Sequence, residues 1–155
     1  MREESATSIR RPWPLLFPIL WMAVVFLLSG NLLSSSNTEK LVIPFLHTFF
    51  PYASWKALAE IHLFLRKGWH VLEYALLTYF WALALGPYWR RERRLHLYLF
   101  IALLGLGYAL FDEFHQSFCP SRGSSFADVL VDVVGVLSIF LILWLRQQRP
   151  ERQAH

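Results

Sequence analysis

Four apolar runs alternate with polar segments along the 155 residues of this chain. They cover approximately residues 14–33, 69–87, 95–111 and 126–145. An α-helix needs about 20 apolar residues to cross the hydrocarbon core of a bilayer, and three of the runs are close to that length. The third run is shorter, but it follows arginines whose aliphatic stems can extend along the membrane surface. The pattern therefore predicts a single-domain, all-α membrane protein with four transmembrane helices.

The segment between the first two runs, residues 41–66, has a different pattern. Residues 41–50 are apolar but too short to cross a bilayer, and Pro51 follows them. In residues 53–66 the apolar side chains recur at helical spacing opposite a polar face, which is typical of an amphipathic helix. Aromatic residues flank this segment, as they do at headgroup interfaces. We expect one or two interfacial helices here, serving either as a flap that packs on the bundle or as a surface that contacts lipid.

Basic residues predict the orientation of the chain. Most lie in three segments that fall on one side of four spans, namely the N-terminus (Arg2, Arg10, Arg11), residues 90–94, and the C-terminus (Arg146, Arg149, Arg152). The positive-inside rule assigns that side to the cytoplasm, with both termini inside and the first run as a retained signal anchor. The first outer loop also holds four basic residues, so the bias is incomplete. Because the net charge of +4 follows the ends of the spans, we expect no nucleic-acid partner.

The remaining polar residues fall at the opposite ends of the runs, at one predicted depth. They are Ser34, Ser35 and Ser36 after the first run; Lys67, His70, Glu73 and Tyr74 at the second; Asp112, Glu113 and Gln116 at the third; and Arg122, Asp128 and Asp132 around the start of the fourth. A charge at the centre of a bilayer costs roughly 2.5–3.5 kcal/mol on insertion scales, so these side chains should face the interior of the bundle. We therefore expect one polar site at the outer face.

Carboxylates outnumber permanent cations in this set, which leaves three hypotheses for its charge balance. One acid is protonated, a histidine such as His70 is charged, or a ligand cation completes the set. Structural roles stay open for Asp128 and Asp132 as helix-start residues and for Arg122 as a clamp, so a closed salt-bridge network is the alternative to an open pocket. With no His-x-x-x-His pair on one helix and Cys119 as the only cysteine, we expect neither a metal nor another cofactor.

At these residues the chain resembles the VanZ-like family of small membrane proteins. The matching elements are Lys67-x-x-His70-x-x-x-Tyr74, Asp112-Glu113-x-x-Gln116, Pro120-x-Arg122, and Asp128 with Asp132 and Gly135, preceded by the serines at residues 34–36. The resemblance implies a four-span protein of the bacterial cytoplasmic membrane. The family is named for a member linked to low-level resistance to the glycopeptide teicoplanin.

Two functions are compatible with such a site, and a third is less favoured. The first is binding of a membrane lipid, a lipid-linked envelope precursor or a lipophilic glycopeptide, through Lys67, Tyr74, Gln116, Arg122 and Asp128. The alternative is an enzyme acting on a lipid headgroup or lipid phosphate, with Glu113 or Asp112 as general base and His70 as its acid–base partner. A transporter or channel is less favoured, because the charges are shallow and transporter sites usually lie near the midplane. The pattern does not predict the oligomeric state.

Overall fold

The computed structural model describes residues 13–30, 34–119 and 125–148, and within these ranges the chain forms α-helices and no strand. The helices are α1 (Trp13–Leu28), α2 (Ser35–Phe49), α3 (Trp55–Leu85), α4 (Arg94–Gln116) and α5 (Phe126–Gln148). Two short 3-10 turns, Gly86–Tyr88 and Arg91–Arg93, join α3 to α4. The predicted all-α class is confirmed.

Helix α3 is the centre of the bundle, because α1, α2, α4 and α5 all pack against it. Its most extensive contact is with α5. Gly135 permits this contact, since a Cβ atom there would overlap the carbonyl oxygen of Val71 and lie 3.0 Å from the amide nitrogen of Ala75. Tyr74 and Leu77 of α3 form the main apolar core with side chains from α1, α4 and α5.

Several boundaries differ from those predicted. The amphipathic segment and the second apolar run are one continuous helix, because α3 has 31 residues and passes from Trp55 through both. Gly68 lies between the two patterns without ending the helix, and it faces open space. The predicted break at Pro51 is present, since α2 ends at Phe49 and α3 begins at Trp55. Helix α2 begins at Ser35, earlier than expected, and it contains Pro44.

The first and third runs also have different ends. Helix α1 stops at Leu28, short of the predicted residue 33, and residues 31–33 lie outside the described ranges. Helix α4 continues past residue 111 to Gln116, so residues 112–116 are helical. Helix α5 begins at Phe126, as predicted, and ends at Gln148. The extension of α4 places Asp112 and Gln116 one turn apart on a rigid element.

Two of the described helices, α4 and α5, are long and apolar enough to cross a membrane, judged by length and composition. The apolar part of α1 is shorter, covering Pro14–Leu28. Large apolar side chains also cover much of the outer surface, among them Phe17, Leu41 and Leu103. The number of spans stays a prediction.

Candidate functional site

A stripe of side chains on α3 lines a cavity of about 270 Å³. The stripe consists of His62, Leu65, Arg66, Trp69, His70 and Glu73. Their spacing of three and four residues places them on one face of the helix. The other walls come from Leu28 and Ser29 at the end of α1, Thr38 and Val42 of α2, and Asp112 of α4. The cavity therefore lies where four helices meet at one end of the bundle.

His70 is held between two carboxylates inside the bundle. Its Nδ1 lies 3.2 Å from Oδ1 of Asp132 on α5 and 3.8 Å from Oε2 of Glu73 on its own helix. All three residues are buried. A buried carboxylate is stabilised by an adjacent, potentially charged partner, so these contacts join α3 to α5 electrostatically.

Two indole groups fix Glu73 in the cavity wall. Trp69, one turn earlier on α3, donates from Nε1 to Glu73 Oε1 at 2.6 Å. Trp21 of α1 donates from its own Nε1 to the Glu73 carbonyl oxygen at 2.9 Å. Glu73 therefore has little freedom to leave the cavity.

Gln116 connects α4 to α1 next to the cavity. Its Nε2 donates to Asp112 Oδ2 at 2.7 Å and to Ser29 Oγ at 2.7 Å, and all three side chains are buried. The second carboxylate oxygen of Asp112, Oδ1, has no hydrogen-bond partner within the described part of the chain. One oxygen of Asp112 is thus held by the protein, while the other is a buried acceptor whose hydrogen-bonding capacity the described residues leave unmet.

The other two acids of the predicted site attach α5 to its neighbours. Glu113 accepts a short hydrogen bond from the backbone N–H of Ser125, just before α5 begins. Asp128 pairs with Arg66 of α3 at 3.4 Å, and both side chains are partly exposed. Neither Glu113 nor Asp128 lines the cavity.

The structure brings only some of the predicted site residues to the cavity. His70 and Asp112 line the cavity, and Gln116 contacts it through Asp112.

Tyr74 is fully buried in the apolar core, and its hydroxyl has no hydrogen-bond partner among the described residues. Lys67 is exposed and does not line the cavity. Arg122 lies outside the described residues, as do the side chains of Ser35 and Ser36. The functional role of each residue stays a prediction.

Among the polar residues that line the cavity, Ser29, Thr38, His62 and Trp69 were not predicted as site residues. Ser29 lies inside the first apolar run and Trp69 begins the second, so hydropathy marks neither as a site residue. His62 had been placed on the polar face of a separate amphipathic helix, but it contacts Thr38 at 3.1 Å across α2 and α3. The spacing His62, Arg66, His70 was the available signal, because residues four apart share a helix face and this series continues to Glu73.

Near His70, carboxylate groups that can accept hydrogen bonds lie around the imidazole. A carboxylate bonded to one ring nitrogen orients an imidazole for acid–base work at the other. Across the residues that the structure describes, no three or more His, Cys, Asp or Glu side chains are arranged to hold a metal ion. The walls are mixed, since apolar side chains alternate with these polar ones.

The comparison with protein families gives a match over nearly the whole chain. A family model described as VanZ/LLP1 matches residues 15–147, which confirms the resemblance in the sequence. No curated protein gives a significant match. No solved structure does so either. Together with the two long apolar helices, the family match indicates a membrane protein.

Proposed function

The chain belongs to the VanZ/LLP1 family, and we propose that it is a multi-pass protein of the bacterial cytoplasmic membrane. In this proposal α1, the C-terminal half of α3, α4 and α5 cross the bilayer, with both termini inside. The exposed arginines at residues 90, 93 and 94 support this orientation, because cytoplasmic loops are enriched in basic residues. The cavity then opens toward the outer leaflet.

We propose further that the cavity binds the headgroup of an amphiphilic envelope molecule. The ligand is a membrane lipid, a lipid-linked envelope precursor or a lipophilic glycopeptide. The observation that carries this proposal is a partly apolar cavity with a buried polar wall, in which Leu28, Val42 and Leu65 lie beside His70 and Glu73. Family membership supports a contribution to teicoplanin resistance through this ligand.

The size of the cavity limits what it can hold. Its volume of about 270 Å³ is just below the roughly 300–1,000 Å³ of typical small-molecule pockets. A headgroup fits such a volume, whereas a complete lipid does not. The chains of the ligand would lie outside, against exposed apolar side chains such as Leu41 and Phe45 of α2. This arrangement gives α2 and the N-terminal half of α3 the role of an interfacial binding surface.

A cavity-filling substitution tests this proposal. The full chain, carrying Leu65→Trp, is reconstituted with a bacterial lipid extract, and retained lipid is measured by native mass spectrometry. Leu65 lines the cavity, so the larger side chain should reduce the affinity for retained lipid about tenfold, equivalent to about 1.4 kcal/mol.

Leu63→Trp is the matched control, because Leu63 is similarly exposed on the same helix but does not line the cavity. It should retain lipid as the wild type does. Equal retention by Leu65→Trp and wild type would exclude the cavity as the binding site.

A second candidate function is acid–base catalysis on the same ligand. The observation favouring it is the contact between His70 Nδ1 and Asp132 Oδ1, because a carboxylate in that position sets the orientation of a catalytic imidazole. Asp112 is the better placed of the two predicted general bases, since it lines the cavity and Glu113 does not.

Product analysis separates the two functions. Lipid extract incubated with wild type, with His70→Gln and with Asp132→Asn is compared by mass spectrometry for headgroup loss or transfer. An enzyme would give new products with wild type alone, while lipid retention by correctly folded variants would persist. Unchanged lipid in every sample would support the binding function.

A further inference from the structure

The cavity is polarised along α3. Arg66 lies in the first half of the stripe and Glu73 ends it seven residues later, which at ~1.5 Å per residue separates them by about 10 Å along the helix axis. Asp112 lies with Glu73 in the wall, and Asp132, which does not line the cavity, lies 3.2 Å from the cavity residue His70. We call the part formed by Glu73, Asp112 and Asp132 the carboxylate end.

The charge of Arg66 is already engaged. Its guanidinium pairs with Asp128 at 3.4 Å, so the cation at that end is balanced within the protein. At the carboxylate end, within the described ranges, His70 is the basic side chain at salt-bridge distance. His62 also lines the cavity, but it contacts Thr38 on the far side of the stripe. Two of the three carboxylates therefore contact one imidazole, and Asp112 has no basic side chain at salt-bridge distance among the described residues.

The carboxylate of Asp112 gives a second, independent indication that this end of the cavity lacks a hydrogen-bond donor. It exposes 1% of its surface, and its Oδ1 has no hydrogen-bond partner among the described residues, although Oδ2 accepts from Gln116. Leaving a buried polar atom unsatisfied costs about 1–3 kcal/mol, and more if the group is charged. Because Asp112 lines the cavity, a ligand can supply the donor that this oxygen lacks.

We infer that the carboxylate end of the cavity binds a primary ammonium group carried by an amphiphile. This inference rests on the proposed binding function and names the ligand class. An ammonium group is a compact charge with several N–H donors, so it can satisfy Asp112 Oδ1 and lie against Glu73. A phosphate or another anion at the same position would meet like charge, which is unfavourable in a buried site.

Matched single-chain probes test the inference. The full chain in dodecyl maltoside is titrated with dodecylamine, dodecanol, dodecyl phosphate and ethylamine. The readout is the indole N–H resonance of Trp69, assigned by its loss in Trp69→Phe, because this group donates directly to Glu73. We expect dodecylamine to bind about tenfold tighter than dodecanol, and dodecyl phosphate to bind more weakly than dodecanol. Ethylamine should bind much more weakly than dodecylamine, because it lacks the apolar chain.

Two variants and one control assign the effect to the cavity. Asp112→Asn should abolish most of the preference for dodecylamine over dodecanol, and Glu73→Gln serves the same purpose if Asp112→Asn does not fold. Glu60→Gln makes the same charge change at an exposed position of α3, so its preference should equal that of wild type.

The possible results distinguish the ammonium inference from the proposed amphiphile binding on which it rests. Dodecyl phosphate binding as tightly as dodecylamine would overturn the ammonium inference but leave amphiphile binding intact. A preference for dodecylamine that persists in Asp112→Asn and Glu73→Gln would also overturn it. Ethylamine binding as tightly as dodecylamine would indicate a free amine and not an amphiphile. No response to any probe would remove the binding function itself.

Discussion

The two ends of the bundle use the same helices and place their charges in opposite ways. At the arginine end, where α3 leads into α4, the side chains of Arg90, Glu92, Arg93 and Arg94 are exposed, and the packed residues beneath them include Leu97 and Ile101. At the polar end, His70, Glu73, Asp112 and Asp132 are buried between helices. Helices α3, α4 and α5 thus combine an apolar core at one end with a charged core at the other.

The comparison separates charges that orient the protein in a membrane from charges that form the candidate site. Exposed charges at the end of a span can act through the positive-inside rule without any specific contact. Buried charges need partners, and each one at the polar end either has a specific partner or, like Asp112 Oδ1, has an unmet hydrogen-bonding capacity. Substitutions should therefore have large effects at the polar end and small ones at the arginine end.

The largest effect is expected from Asp132→Ala. Removing one partner of a buried pair leaves the other uncompensated, which costs about 3 kcal/mol or more. The unfolding midpoint in SDS titrations, followed by helical circular dichroism, should fall steeply for this variant. Arg93→Ala at the arginine end should leave the midpoint where it is in wild type. Similar shifts for the two variants would contradict the difference between the ends.

A smaller loss is expected from Gly135→Ala, which adds a methyl group where α5 touches the backbone of α3. Overpacking of this kind costs about 1–3 kcal/mol. Gly107→Ala on α4 is the matched control, because a Cβ there meets nothing within 4 Å. The control should be stabilised by about 0.5–1 kcal/mol, as expected for Gly→Ala inside a helix. The same titration gives both changes in stability. The diagnostic result is a loss of stability in Gly135→Ala together with a gain in Gly107→Ala.

The hydrogen bonds of Gln116 should contribute next. Gln116→Ala leaves Ser29 Oγ and Asp112 Oδ2 without their donor, with an expected loss of about 1–2 kcal/mol. Thermal unfolding of Gln116→Ala, Ser29→Ala and the double variant gives the coupling energy. Strictly additive losses would show that Gln116 and Ser29 do not act together.

The smallest effect is expected from the partly exposed pair of Arg66 and Asp128. Pairs near a surface typically contribute about 0.2–1 kcal/mol. A double-mutant cycle with Arg66→Gln and Asp128→Asn should give a coupling in that range that decreases as salt is added. A coupling of about 3 kcal/mol or more that is insensitive to salt would place this pair with the buried contacts.

Much of the architecture could be predicted from apolar patterning, and the errors have identifiable causes. Hydropathy reports where a segment partitions, whereas helix continuity depends on backbone conformation. The change from amphipathic to apolar near Gly68 therefore suggested two elements where α3 is one. In the same way, the third apolar run was predicted to end at residue 111 because residues 112–116 are mostly polar, although nothing in them breaks a helix.

The depth of the site residues in the bundle could be predicted from the sequence, but the contacts between them could not. Counting positions along each run placed His70, Asp112 and Asp132 at the same end of the bundle. It could not show that Asp132 contacts His70 or that Asp128 contacts Arg66, because such pairings depend on how each helix is rotated about its axis. Ser29 was missed for a related reason, since a small hydroxyl within an apolar run gives no hydropathy signal.

The unbroken length of α3 has a consequence for the choice of membrane. At ~1.5 Å per residue its 31 residues extend about 46 Å, well beyond the ~30 Å hydrocarbon thickness of a bilayer. On the proposed topology, a thicker bilayer immerses more of the segment near Arg66, and a thinner one exposes it. Tilting offsets part of this mismatch at a modest free-energy cost. On the proposed topology, changing the acyl-chain length of the lipid would therefore change ligand access to the cavity, independently of headgroup chemistry.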